Sequence, residues 1–277
     1  VPEVSSVQRS DVRAAIARAS AATGVNFDYL LAQAKIESAF DPSARASTSS
    51  AAGLFQFTAG TWLETLDRHG ARHGLSWADA AISRSGGRAG INDPTMRAQV
   101  MNLRFDPDAS ALMAAELARD NAGELRGVLG REPDSAELYL AHFMGAGGAR
   151  SFLTALQNNP GQSAADLFPE SASANRPIFY DNGRPRSVGE VMDLMRTKVS
   201  SAMEGGFDSF QGGSYYSSPQ ASFQTASYSR SAAPEQVQRI PSMADTLQAT
   251  FGATANLPGK AGERVEKAYS AFRTFGL

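Results

Sequence analysis

Glu37 is the residue of this chain best placed to handle a proton. Segment 27–38 carries an apolar stripe through Phe27, Leu30, Leu31 and Ala34, and seven residues after Leu30 a helix returns to within about 20° of the same face. The position reached is Glu37. A carboxylate on the inward stripe at a helix end is partly desolvated, which disfavours its charged form and suits it to general-acid chemistry. The plainer alternative is a rim-exposed or capping glutamate, the commoner fate of a carboxylate. The neighbouring residues favour the acid: Glu37-Ser38-Ala39-Phe40-Asp41-Pro42 closes the helix, and Ser/Ala-rich residues lead into Gly53-Leu54-Phe55-Gln56. Two polar side chains, Ser38 and Gln56, are thereby expected near one apolar wall.

Other chemistries find less support. The chain has no cysteine, which excludes disulfides, thiolate catalysis and zinc-thiolate sites. His69 and His73 are four apart, but Gly70 interrupts them and the intervening Glu of a zinc-protease helix is missing, so they are read as surface residues and no metal is expected. Gly86-Gly87 and Gly145-Ala146-Gly147-Gly148 lack the Lys and Ser/Thr context of a phosphate cradle and are read as turns and close packing. Charged residues are 19% of the chain and sum to -2, too weak a field to steer nucleic acid or an anionic membrane.

The elements that must position Glu37 read as helices. Apolar residues recur at helical spacing from residue 11 to about 201, and strand-like alternation is almost absent. Helices are expected over 11–22, 27–38, 59–69, 94–103, 107–121, 135–143, 149–157 and 188–201. Asp134 with Glu137 forms a capping-box pattern, and Asp106 precedes Pro107 at a first helical position. Polar, glycine-rich connectors at 41–53, 83–92 and 158–189 are too long for turns and are candidates to line a site.

With 277 residues, 42% of them hydrophobic, the chain is long enough for one large core with appendages. Residues 1–25 are expected as a helix packing on a domain that spans 26–201. Composition turns rich in Ser, Gly and Gln over 202–240, where Tyr215, Tyr216, Phe223 and Tyr228 lack a period, so a flexible, disordered linker is expected there. Over 241–277, Val265, Ala268, Tyr269 and Phe272 share one face of a short amphipathic helix, a docking element for the main domain or a protein partner. No apolar run approaches the roughly 20 residues of a bilayer span, so no membrane span is expected. The first residues lack the basic and apolar regions of a signal peptide, and Val1 in place of Met suggests a processed chain.

Three segments in order resemble the lytic transglycosylases of the soluble lytic murein transglycosylase type, with the goose-lysozyme-like fold. The family's Glu-Ser-x-Phe is matched by Glu37-Ser38-Ala39-Phe40, and its Gly-Leu-Met-Gln by Gly53-Leu54-Phe55-Gln56 with Phe for Met. Where the family carries Ala-Tyr-Asn-x-Gly, this chain reads Ala141-His142-Phe143-Met144-Gly145. The resemblance covers about 26–201, with a helical insertion over about 70–105.

It implies an all-α, lysozyme-like domain that works without metal or organic cofactor on peptidoglycan glycan strands, in the periplasm or cell envelope. The implied reaction cleaves the bond between N-acetylmuramic acid and N-acetylglucosamine without water, leaving a 1,6-anhydro sugar. Glu37 would be the single acid and base, which departs from the carboxylate pair of most glycosidases. Asp41, the nearest other acid, is read as a loop cap. Ser38 and Gln56 are candidates to contact sugar or orient Glu37, and Phe55 to form cleft wall or core. His142 and Phe143 stand at the third motif's substrate contacts, and Tyr180 is the candidate for a late tyrosine facing the acid. Trp62 and Trp77 suit sugar stacking, although core packing is the commoner use of a tryptophan. Two rival functions remain: a hydrolytic muramidase on the same fold, and a non-catalytic glycan-binding or assembly scaffold.

Overall fold

The computed structural model describes residues 6–47 and 49–204, with side chains from residue 9 onward. The flexible tail, comprising the linker expected over 202–240 and the terminal helix over 241–277, lies outside the described residues except for 202–204, which continue the last helix.

The protein is all-α. In order it runs α1 (Ser6–Thr23), α2 (Phe27–Ser38), α3 (Ala59–His69), α4 (Ser76–Ala80), β1 (Ser83–Ser85), β2 (Arg88–Gly90), α5 (Pro94–Asn102), α6 (Pro107–Leu129) and α7 (Ser135–Asn158). Short helices α8 (Ala164–Leu167), α9 (Pro169–Ala174) and α10 (Arg176–Phe179) follow, then β3 (Tyr180–Asp181), β4 (Arg184–Pro185) and α11 (Val188–Glu204). The two strand pairs are small antiparallel hairpins. Helix α6 packs against α1, α3 and α7, and α11 packs against both α2 and α7.

Periodicity explains these contacts. Val12, Ala15, Ile16 and Ala19 form the buried stripe of α1, the i, i+3, i+4, i+7 face of an amphipathic helix. The Asn26 side chain accepts from Tyr29 N at 2.9 Å and starts α2. Asp106 and Thr58 cap α6 and α3 in the same way, and the Asp134–Glu137 capping box opens α7.

Four departures from the sequence expectation have local causes. Helix α6 continues to Leu129, past the expected end at 121, because Leu125 is fully buried and rewards another two turns; that packing outweighs Gly123 and Gly127, each a penalty of about 1 kcal/mol. The helices expected at 135–143 and 149–157 are one run, interrupted at Gly145 with φ 73 and ψ 159, a region open in practice to glycine alone. The insertion over 70–105 is not wholly helical: it contains the β1–β2 hairpin, which turns on Gly86 and Gly87 at φ 57 and 78, the left-handed pair that a tight hairpin needs.

The fourth departure concerns His69, which is buried, and His73, which is half-buried, rather than both on the surface. Glu116 on α6 is 0% exposed, and a carboxylate so placed requires partners. His73 Nε2 lies 2.6 Å from its Oε1, Arg119 reaches Oε2, and His69 Nε2 lies 2.8 Å from Asp120 Oδ2. This network joins the end of α3 and the turn after it to α6.

Candidate active site

Glu37 sits at the last turn of α2, where α7 and α11 close over it. Its side chain is 4% exposed. The Tyr139 hydroxyl donates to Oε1 at 3.0 Å, and His142 Nε2 lies 3.4 Å from the same oxygen. Both contacts fall on Oε1, and among the described residues no hydrogen bond engages Oε2. Tyr139 and His142 are three apart on α7 and so share a face; their ring centroids are 6.1 Å apart.

The surrounding groups titrate in ways that burial dictates. Burial, reinforced by the Glu37 charge, pushes the Tyr139 hydroxyl well above its ordinary value, so it stays a proton-bearing donor. Tyr29, buried on α2, is raised by the same two causes. Lys198 on α11 is pushed down to about 8 by burial, against the opposing attraction of Glu37. Its ammonium lies 5.8 Å from the Tyr139 ring centroid, within cation–π range.

That depressed value makes a stability prediction. Below pH 8 the lysine is charged in both folded and unfolded chains; between 8 and its ordinary 10.5 the unfolded chain holds the extra proton. Stability then rises with pH across this window. Urea denaturation of the wild type and of Lys198→Met at pH 7.5 and pH 9.5 should show a wild-type gain, relative to the variant, at the higher pH. Equal pH dependence in the two proteins would contradict it.

The backbone around Glu37 is strained. Ala39 and Phe40, directly after Glu37-Ser38, have φ 51 and 67, and Gln56 has φ 47. Of the four non-glycine left-handed residues among those described, two follow Glu37-Ser38 directly and a third, Gln56, lies in the turn bonded to Ser38. Such residues cost about 1–3 kcal/mol each and persist where the surroundings hold them, commonly at functional sites. The surroundings here are identifiable. The Ser38 hydroxyl lies 2.8 Å from Leu54 O and 3.1 Å from Ala34 O, tying the end of α2 to the Gly53-Leu54-Phe55-Gln56 turn. Gln56 Nε2 donates to Gly53 O at 2.9 Å and Ala44 O at 3.3 Å.

Gly53 is held by a close approach. A Cβ there would lie 1.9 Å from Arg104 O, and its φ is +80. Arg104, itself 8% exposed, donates to Ser50 O at 2.6 Å and Phe57 O at 3.1 Å. Burial first, then Arg45 and Arg97, lower its guanidinium from the ordinary value.

Several expected site residues take different roles. Ser38 and Gln56 spend their donors on the turn rather than on an open cleft. Phe55 is 0% exposed and belongs to the core, the second of the two roles expected for it. Phe143, 2% exposed, stacks on Phe179 at 6.5 Å between centroids and is likewise core. Tyr180 is half-buried beneath the Arg176 guanidinium, 4.5 Å from its ring centroid; the tyrosine that contacts Glu37 is Tyr139 instead. His142 does reach Glu37. Asp41 accepts from Ser43 N at 2.8 Å, the loop-capping role expected of it. Trp62 is fully buried and donates to Val100 O at 2.9 Å, whereas Trp77 is 45% exposed.

Sequence reasoning does not reach Tyr139 or Lys198. The usable signal is the same one that marks Glu37: a polar-ended side chain on an inward stripe. Lys198 lies beside the α11 stripe of Val191, Met195, Val199 and Ala202. No family model matches this chain.

Proposed function

We propose that the protein is a lytic transglycosylase that cleaves peptidoglycan glycan strands at the N-acetylmuramic acid to N-acetylglucosamine bond, with Glu37 as its single acid and base. The observation that carries this proposal is the asymmetry of the Glu37 carboxylate. Tyr139 and His142 hold Oε1, and Oε2 is left to exchange a proton with substrate. In the first half-reaction, protonated Glu37 gives its proton to the departing glycosidic oxygen as the C1–O bond breaks. In the second, the carboxylate takes the proton of the muramic C6 hydroxyl as that oxygen bonds to C1, which closes the 1,6-anhydro ring and restores the acid. No water is consumed.

Tyr139 supports the first half because its raised ionisation keeps it a donor, steadying the carboxylate that forms as the proton leaves Glu37. Tyr139→Phe removes that hydrogen bond while keeping the ring. The expected result is a fall in turnover of about tenfold with a stability loss of about 1 kcal/mol. Turnover and urea denaturation of the purified variant check both figures; unchanged turnover would remove Tyr139 from the mechanism. Like the glycan substrate, location in the periplasm or cell envelope belongs to this proposal. Among the described residues no helix is long and apolar enough to cross a membrane.

The deciding experiment is digestion of purified peptidoglycan followed by mass spectrometry. Anhydro-muropeptides support the transglycosylase. Products heavier by one water would assign a hydrolytic muramidase to the same site. A second reading, a non-catalytic glycan-binding scaffold, draws on the 4% exposure of Glu37; binding to sacculi with no released product at any pH would favour it.

A further inference from the structure

Three arginines gather beside the turn that anchors α2. Arg45 lies in the connector after α2, where its backbone pairs with Ala52; Arg97 is on α5, and Arg104 is in the turn between α5 and α6. The guanidinium carbons of Arg45 and Arg104 stand 4.1 and 6.0 Å from one ring centroid, that of Phe105. Arg97 is near enough for its charge, like that of Arg45, to act on the Arg104 guanidinium. The cluster is also joined to the Glu37 centre by contact. Arg104 O is the atom that closes on Gly53, and Leu54 O, next in that turn, accepts from Ser38, the residue after Glu37.

This chain supplies no anion to the three. Among the described residues none of them forms an ion pair, and the acids nearest to them in sequence, Asp41, Asp93 and Asp106, cap backbone N–H groups instead. Arg45 and Arg97 are exposed, so water screens them. Arg104 is 8% exposed, and a charge so buried calls for partners. Its Nε and Nη1 donate to Met101 O, Ser50 O and Phe57 O. Its Nη2, with two further donors, makes no hydrogen bond among the described residues. A merely solvated face would not need a buried guanidinium at its base. Like charges held together and left with spare donors have the chemistry of an anion site, and the planar fork of a guanidinium matches the two oxygens of a carboxylate.

We infer that Arg45, Arg97 and Arg104 form a carboxylate-binding site that takes the stem peptides of a peptidoglycan strand. The ligand class rests on the substrate proposed above, in which the amino-sugar backbone is neutral and the free carboxylates belong to the peptides. Strands that carry stem peptides are then bound in preference to bare glycan.

Isothermal titration calorimetry of the full chain carrying Glu37→Gln tests the site without cleavage. The probes are soluble strands of equal glycan length in three forms: with free stem-peptide carboxylates, with those carboxylates amidated, and without peptide. Amidation or removal of the peptide should weaken binding about tenfold, the scale of a lost charge-assisted hydrogen bond. Adding Arg45→Gln/Arg97→Gln should abolish the preference and leave the affinity for peptide-free strands unchanged. Both side chains are exposed, so the fold is expected to persist, as a urea melt of the variant checks; Arg45→Lys/Arg97→Lys, which keeps the charges, should restore part of the preference. Equal affinity for free and amidated strands, which needs no arginine variant to measure, would overturn the site, and so would a preference that survives the glutamine pair. The two proposals fail separately. Glu37-dependent cleavage by the parent protein without a carboxylate preference in binding would remove the arginine site alone, whereas that preference without cleavage would remove the catalytic proposal alone.

Discussion

Glu37→Gln should lower the release of anhydro-muropeptides from purified peptidoglycan by about 10³-fold or more, the span expected when one group serves as both acid and base. Glutamine keeps the size of the side chain and an oxygen that can accept from Tyr139, so the 3.0 Å bond has a replacement and the fold is expected to persist. What is lost is the exchangeable proton. The measurement pairs product quantification with a urea melt of the same preparation. A folded variant that releases products at the wild-type rate would end the case for Glu37, and with it the single-carboxylate mechanism. Asp41, the nearest other acid in sequence, accepts from Ser43 N and Oγ at 2.8 and 2.6 Å as a loop cap.

The second large effect is on stability. Gly53→Ala should destabilise the protein by about 3 kcal/mol, combining left-handed strain with an overpacked contact. The contact is with backbone, Arg104 O at 1.9 Å from the new Cβ, so it cannot be relieved by rotating a side chain. Gly24 provides the control, because its φ of +77 is similar yet nothing lies within 4 Å of its Cβ position. Gly24→Ala should therefore cost only the conformational part, about 1–2 kcal/mol. Denaturant unfolding of both variants tests the difference. Equal losses would mean that the Arg104 approach relaxes freely. The Gly53 variant should also lose activity, because its turn holds Ser38 and thereby the end of α2.

The sequence disclosed the skeleton of this site better than its lining. Helix α2 and the inward position of Glu37 follow from one stripe, since a helix face repeats within a dozen residues and needs no knowledge of neighbours. Tyr139 is harder because its partner is 102 positions away, and nothing local distinguishes a tyrosine that packs from one that also bonds a carboxylate. Ser38 and Gln56 are recognisable as polar groups beside an apolar wall, but their acceptors are main-chain carbonyls, which every residue type offers alike. His69 and His73 fail for a related reason. Their inward placement depends on Glu116 from α6, and an acid at 0% exposure is the rarer choice for a helix face. Gly86-Gly87 does mark a turn, yet the strands it joins are three residues each, too short to show alternation.

The break at Gly145 divides α7 into parts with different obligations. Tyr139 and His142 belong to the first part, while Phe152 and Leu153 of the second serve the core, Phe152 beside Phe168 at 5.6 Å between centroids. A straight rod would transmit every change at its far end to both tyrosine and histidine. A glycine joint relaxes that linkage, so drift in the 149–158 segment can be absorbed as a small change of angle. The protein can thus revise its interior on one side of the joint while the contacts of Glu37 stand still on the other.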